Sequence, residues 1–261
     1  MIAAGLVSIS FRALSPRAVV DLVARSPLRG IEWGGDVHVP HGDRGRAVEV
    51  GAMTREAGLA VAVYGSYYRA GEAAGEAGNP DFTAVLESAI LLGAPTIRVW
   101  CGRQPSAAAS PEYRARVTAD LARIGDLAAP LGIAVTCEHH AHTLTDSADS
   151  ARQLYRDLLG ANVQPNWQPV PDAALADNLA ILGDLAPRLA NVHAFHWLVQ
   201  PGSRQRLPLQ QGHAEWQAYF QVVRQTGRLH WTLLEFVKDD SPEQFLQDAE
   251  TLHAWLSAPA R

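Results

Sequence analysis

Lysine is almost missing from this chain. Lys238 is the only one, and every other cationic side chain is an arginine. A Schiff-base aldolase needs an inward-facing amine. Lys238 follows Glu235 with the opposite strand parity, so that chemistry is disfavoured. Cysteine is scarce too. Cys101 and Cys137 are the only two, which is no disulfide framework and points to a reducing compartment. A bridge between them is not expected. No apolar run approaches the roughly 20 residues of a membrane span. The start MIAAGLVSIS lacks the basic beginning and long apolar core of a signal peptide, so a cytoplasmic location is expected. A basic face is also lacking. The formal net charge is -5, which leaves no electrostatic footprint for nucleic acid. Neither nucleic acid nor membrane is expected as a partner.

The chain has 261 residues, 48% of them hydrophobic, enough for a large core. No Pro/Ser/Gly-rich linker interrupts it, so residues 1–261 read as one domain. A pattern recurs every 30 to 40 residues or so, about one βα unit each: glycine, a short β-type run, polar residues, a helical stretch. The strand candidates are Leu6–Phe11, Gly30–Trp33, Leu59–Tyr64, Thr96–Trp100, Ile133–Glu138, Val163–Trp167, Asn191–Trp197 and Leu229–Val237. Gly30, Gly58, Gly93, Gly132, Gly160 and Gly227 precede or open six of them, as helix C-caps turning into strands do. Ser15-Pro16, Ser110-Pro111 and Ser241-Pro242 read as N-caps with proline in the first turn. Gln244 adds the third position of a capping box. Asn79-Pro80-Asp81 opens a helix that ends near Gly93. Val117, Leu121, Ile124 and Leu127 have helical spacing. Alternating strands and helices at this length indicate a (β/α)8 TIM barrel. A doubly wound sheet would need a glycine-rich turn after the first strand, where Phe11-Arg12-Ala13-Leu14 stands. Gly65–Gly78 and Val199–Gly212 read as long polar excursions on the active-site face.

The most telling stretch is Gly132–Asp146, GIAVTCEHHAHTLTD. An apolar strand ends in Glu138, followed by His139, His140 and His142. Carboxylate with imidazole is the ligand chemistry of Zn, Mn and related ions. Side chains two apart in a strand share a face. Parity then turns Glu138, Gln168, His193 and Glu235 inward on successive late strands, with His196 as the alternative to His193. Inward polar groups need partners, and one divalent cation would satisfy all four. His139 and His142 read as solvated loop residues. Trp33, Trp100, Trp167 and Trp197 fall near strand ends, as core packing or as a wall for a sugar ring.

At these residues the chain resembles the xylose isomerase-like barrels of the sugar isomerase and epimerase type. The likeness rests on Gly30-Ile31-Glu32-Trp33, on Glu138 with His140, on His193 and on Leu234-Glu235. It implies one divalent metal, Mn, Mg, Zn or Co, held by Glu138, Gln168, His193 and Glu235. Gln168 stands where the family usually has aspartate, and Pro171 where it has histidine. The resemblance implies proton transfer beside a sugar or sugar phosphate carbonyl. Glu138 and Glu235 would be acid, base and ligands at once. Glu32, His38, Tyr67, Arg98, Trp100, His140, His196 and Arg204 are candidates for binding the substrate, and Arg206 for clamping an anionic group on it. Proton return to the opposite face gives an epimer, and return to the neighbouring carbon an isomer. A small carbohydrate is the expected partner, and a homo-oligomer is allowed. Two alternatives remain: a metal-dependent dehydratase of polyols or keto-acids, and a non-catalytic sugar-binding barrel whose site decayed at Gln168.

Overall fold

The structure, a computed structural model, describes residues 2–258. It contains the strands β1 (Ile2–Val7), β2 (Gly30–Gly34), β3 (Ala60–Arg69), β4 (Thr96–Trp100), β5 (Ala134–Glu138), β6 (Val163–Trp167), β7 (Asn191–Ala194), β8 (His196–Gln200), β9 (Ser203–Leu207) and β10 (His230–Leu234). Its longer helices are α1 (Pro16–Ala24), α2 (Arg44–Glu56), α3 (Phe82–Leu92), α4 (Pro111–Ala128), α5 (Ala148–Asp157), α6 (Leu175–Leu185), α7 (His213–Gln225) and α8 (Pro242–Ser257). Eight parallel strands close into a barrel in the order β1-β10-β7-β6-β5-β4-β3-β2, and β8 and β9 form a separate two-stranded sheet. Among the described residues no helix is long and apolar enough to cross a membrane. Internal contacts divide the chain into two compact units. One takes the residues up to Glu32, Met53–Ala60 and everything from Trp167 on; the other takes Trp33–Ala52 and Val61–Asn166.

In the first unit β1 pairs with β10 from Ile2↔His230 to Leu6↔Leu234, and β10 with β7 through Leu233↔His193. The first strand was expected over Leu6–Phe11. Its ladder lies earlier, and Ser8–Phe11 is a 3-10 turn. Partner register, not local apolarity, sets where a strand begins. The seventh strand, expected over Asn191–Trp197, is split. β7 stops at Ala194, and His196 starts an antiparallel hairpin that pairs Trp197 with Arg206 and turns at Pro201-Gly202. Part of the expected polar excursion is therefore strand. Gly30 is no helix cap. It is the first residue of β2, where a Cβ would stand 2.6 Å from the Trp231 ring. The other five glycines do take positive φ.

In the second unit β4 pairs with β5 through Arg98↔Thr136, and β5 with β6 through Glu138↔Asn166. Asp81 caps α3 by accepting from the Thr83 N–H, and Gly93 ends it in the left-handed conformation. Along α4, Val117, Leu121 and Ile124 are buried, but Leu127 is exposed. The buried stripe continues instead through Gly125 and Ala128. Gly125 lets Val163 approach, to 3.2 Å from where its Cβ would be. Ser15, Ser110 and Ser241 all accept backbone N–H bonds as N-caps. The capping box at Ser241 is not reciprocal: the Gln244 amide donates forward to Asp248 at 3.0 Å, one helical turn on.

Candidate functional site

In the first unit the candidate site is built on His193. This imidazole lies at the centre of β7 and is fully buried. Its Nε2 is 3.1 Å from Glu32 Oε2, and its Nδ1 is 3.2 Å from Glu235 Oε2. Glu235 is the last residue to join the ladder, its N–H donating to the Ala194 carbonyl at 3.0 Å. The chain then turns sharply, because Phe236 has a φ of 53°. A non-glycine residue holds that conformation only where its surroundings enforce it. Here the Phe236 ring packs edge-on against Phe195 and Trp197. Glu235 Oε2 makes no hydrogen bond. With the ring proton on Nε2, bonded to Glu32, Nδ1 presents a lone pair to a carboxylate oxygen. Two acceptors that close repel, and a cation taking both as ligands removes the repulsion. The residues present therefore fit a metal ion, with Glu32 as the outer partner that orients a ligating histidine.

The second unit centres on Glu138, the final residue of β5. Arg98 forms an ion pair with its Oε2, and the Trp100 indole N–H donates to the same oxygen. Both Arg98 and Glu138 are buried. Trp100 carries a stack of its own. Tyr67 meets it edge-on at 5.1 Å, His140 lies 4.7 Å away, and the Arg69 guanidinium sits 4.0 Å over the ring. Tyr67 reaches Trp100 because the register between β3 and β4 shifts between Gly65 and Arg69. Bulges of that kind re-aim side chains. Tyr67 takes a φ of 58° there, while Ser66 pins the strand with a 2.7 Å bond to the Arg98 carbonyl.

Within the first unit, His193 Nδ1 and Glu235 Oε2 thus place two ligand atoms 3.2 Å apart. Bonds of about 2.0–2.6 Å to one ion would place its ligands about that far apart. Gln168 is buried one residue past β6. The other expected site residues have these neighbours. His38 packs against Trp33 at 5.7 Å. His196 lines a cavity of about 160 Å³ with Glu215, Trp216 and Tyr219, and burial lowers its pKa. Arg204 pairs with Asp172 at 3.3 Å on the exposed hairpin, and Arg206 pairs with Asp240. Trp33 and Trp167 are core residues, whereas Trp100 and Trp197 are half-buried. His139 was expected to be solvated. It is buried instead, and burial pushes its pKa down to about 4. The cause is that β5 pairing continues one residue further, His139 N–H to the Asn166 carbonyl at 2.9 Å. His142 is exposed. Both cysteines are free and buried. The sequence marked Glu32 as a substrate-binding candidate and His193 as a ligand but did not reveal that they meet. Arg69, above Trp100, carried no sequence signal.

The family model described as xylose isomerase-like TIM barrel matches residues 20–256. The chain belongs to this family. Among solved structures it is similar to the probable 3-DHS dehydratase AsbF of Bacillus anthracis. That match has a TM-score of 0.80 and 20% identity, and covers 97% of this chain and 99% of the other. It is also similar to the 3-keto-D-glucoside 4-epimerase YcjR of E. coli, with a TM-score of 0.72, 19% identity and coverage of 99% and 100%. A xylose isomerase-like protein of Mycobacterium smegmatis in complex with magnesium matches with a TM-score of 0.71 and 16% identity, covering 98% and 96%. At these identities the likeness establishes the barrel. No curated protein matches the sequence.

Proposed function

We propose that this xylose isomerase-like barrel is a metal-dependent isomerase or epimerase that moves a proton on a carbon next to a sugar carbonyl. The observation that carries the reading is the buried His193 Nδ1 facing the buried Glu235 Oε2 at 3.2 Å, neither atom in a hydrogen bond; Glu138 is the further ligand we assign. Two carboxylates, one imidazole and the amide oxygen of Gln168 suit Mn, Mg, Zn or Co. When bound, such an ion supplies Lewis-acid stabilisation for negative charge growing on the carbonyl oxygen. Glu32 fixes the His193 tautomer and leaves Nδ1 to face Glu235. Arg98 and Trp100 together hold Glu138 in one orientation. Glu235, through the oxygen that does not hold the ion, is the carboxylate best disposed to take the proton, because Glu138 Oε2 already accepts from Arg98 and Trp100. Glu138 is the second acid/base group. Tyr67, Trp100 and His140 form an aromatic surface suited to one face of a sugar ring.

The test is metal analysis of the purified protein, followed by deuterium uptake from D2O into a panel of ketoses. Uptake beside the carbonyl should fall at least 100-fold in Glu235→Gln, the scale of a lost general base. A product lighter by one water would assign a dehydratase instead. Protein that retains no divalent metal, with ligand binding unchanged in Glu138→Ala, would leave only a sugar-binding barrel.

A further inference from the structure

Next along the chain from Glu235, Phe236 lines a cavity of about 390 Å³ that the proton transfer does not use. Ile9, Phe11 and Leu14 line it from the turn after β1, and Pro242 from the start of α8. This size falls within the range of small-molecule sites. Two observations restrict what it could take. Ser10, also in the lining, is 3% exposed, and its hydroxyl makes no hydrogen bond. A buried hydroxyl in that state favours a ligand that supplies a partner. Arg206 reaches the cavity, but its guanidinium already donates to Asp240 and, at 3.4 Å, to the Val237 carbonyl, and it lies over the Phe236 ring. It is therefore engaged rather than poised for a phosphate, and the exposed Arg12 and Asp240, which also line the cavity, bring one charge of each sign. The wall is also firmly built, since the left-handed Phe236 is locked by Phe195 and Trp197.

We propose that this cavity is a subsite for an apolar, ring-bearing substituent with one hydrogen-bonding oxygen, carried by the substrate beyond its reacting carbons. The substrate would then be an aryl glycoside whose sugar ring carries a ketone, the carbonyl that the proposed proton transfer needs, not a sugar phosphate. A second sugar ring fits less well. It brings several hydroxyls, each needing a partner, where the inner wall offers Ser10. The inference deepens and rests on the proposed function, since the cavity is lined by Phe236, the residue next to Glu235 in the chain.

Saturation-transfer NMR on the full chain in EDTA tests it, with 4-hydroxyphenyl glucoside, methyl glucoside and glucose 6-phosphate as probes. The aryl protons should show the strongest transfer, and the aryl glucoside should bind about tenfold more tightly than the methyl glucoside. Ala13→Trp, at an exposed position of the lining, should erase that preference by filling the cavity. Ser10→Ala should weaken the hydroxyphenyl compound several-fold and leave methyl glucoside unchanged. Equal binding of the two glucosides, tighter binding of glucose 6-phosphate, or an aryl preference that survives Ala13→Trp would each overturn the proposal. The measurement needs neither metal nor turnover, so it reads separately from the deuterium test. The aryl preference should persist in Glu235→Gln, where uptake is lost.

Discussion

Replacing Arg98 with methionine tests how the barrel keeps a buried carboxylate. Arg98 is 2% exposed and Glu138 3%, so both charges leave water when the chain folds. Their attraction offsets that desolvation only while both are present. Arg98→Met strands the Glu138 carboxylate with the Trp100 indole still donating to it. Removing one member of a buried pair costs about 3–5 kcal/mol. In a chain of this size each kcal/mol is worth about 2–4 °C, so Tm should fall by about 10 °C. Thermal unfolding followed by circular dichroism, in chelator, reads this directly. The double variant Arg98→Met/Glu138→Leu should recover at least half of the loss, because an apolar pair carries no stranded charge. On the proposed metal reading, Mn²⁺ should raise Tm more in Arg98→Met than in the parent, since the cation assumes the balancing role of the guanidinium. A loss below about 1 kcal/mol, or a double variant weaker than the single one, would refute the view that these two charges compensate each other.

Two further outcomes are expected. Gly30→Ala should destabilise by about 1–3 kcal/mol through overpacking, because its new Cβ would meet the Trp231 ring at 2.6 Å and the Ala60 carbonyl at 3.3 Å; a urea midpoint equal to the parent's would contradict this. Stability should also fall on acidification below about pH 6.5, the ordinary histidine value. His230 is buried with its ring nitrogens 2.6 Å from Thr226 Oγ1 and 2.9 Å from the Ala190 carbonyl, and burial lowers its pKa. The unfolded chain therefore binds a proton there before the folded chain does, so unfolding free energy drops as pH falls through that window. Burial lowers the His41 pKa with the same sign, whereas the raised Asp248 pKa acts in the opposite sense. The informative quantity is thus the difference between parent and His230→Gln in urea unfolding at pH 7.5 and 5.5. Equal slopes in the two proteins would remove the assignment to His230.

The barrel and its family were legible because their signals are local. A serine before a proline, a glycine after a helix and an acid ending an apolar strand each act within a turn or two of chain, and the three serine caps form as read. The hairpin of β8 and β9 was not legible. Ser203–Leu207, SRQRL, has no apolar alternation, and both strands stand largely in solvent, so only pairing defines them. Tyr67 was named as a site residue, but its approach to Trp100 depends on a register shift against β4 that periodicity cannot encode. Glu32 and His193 were candidates on separate strands, one for binding substrate and one as a ligand. Their meeting across 161 positions is a product of closure. His139 went unrecognised as buried for a related reason: the extra ladder bond to Asn166 belongs to the partner strand.

The glutamine at 168 and the arginine at 98 are best understood together, as charge. Among the described residues the buried charged side chains, histidines aside, are Glu32, Arg98, Glu138, Glu235 and Asp248. Asp248 is engaged elsewhere, accepting from the Leu209 N–H and the Gln244 amide. The other four are three carboxylates and one guanidinium, a net of two negative charges. On the proposed metal reading, one divalent ion would bring that sum to zero. An aspartate at 168, the residue the family resemblance leads one to expect, would leave a surplus negative charge inside the barrel, and a buried charge without a counterpart is strongly unfavourable. Glutamine offers the same kind of oxygen with no charge to balance. On the proposed metal reading, then, the departure at 168 does not mark a decayed site. It is the ligand that a barrel already carrying Glu32 and Glu138 with Arg98 can accommodate, and the cation it helps to hold need neutralise only what remains.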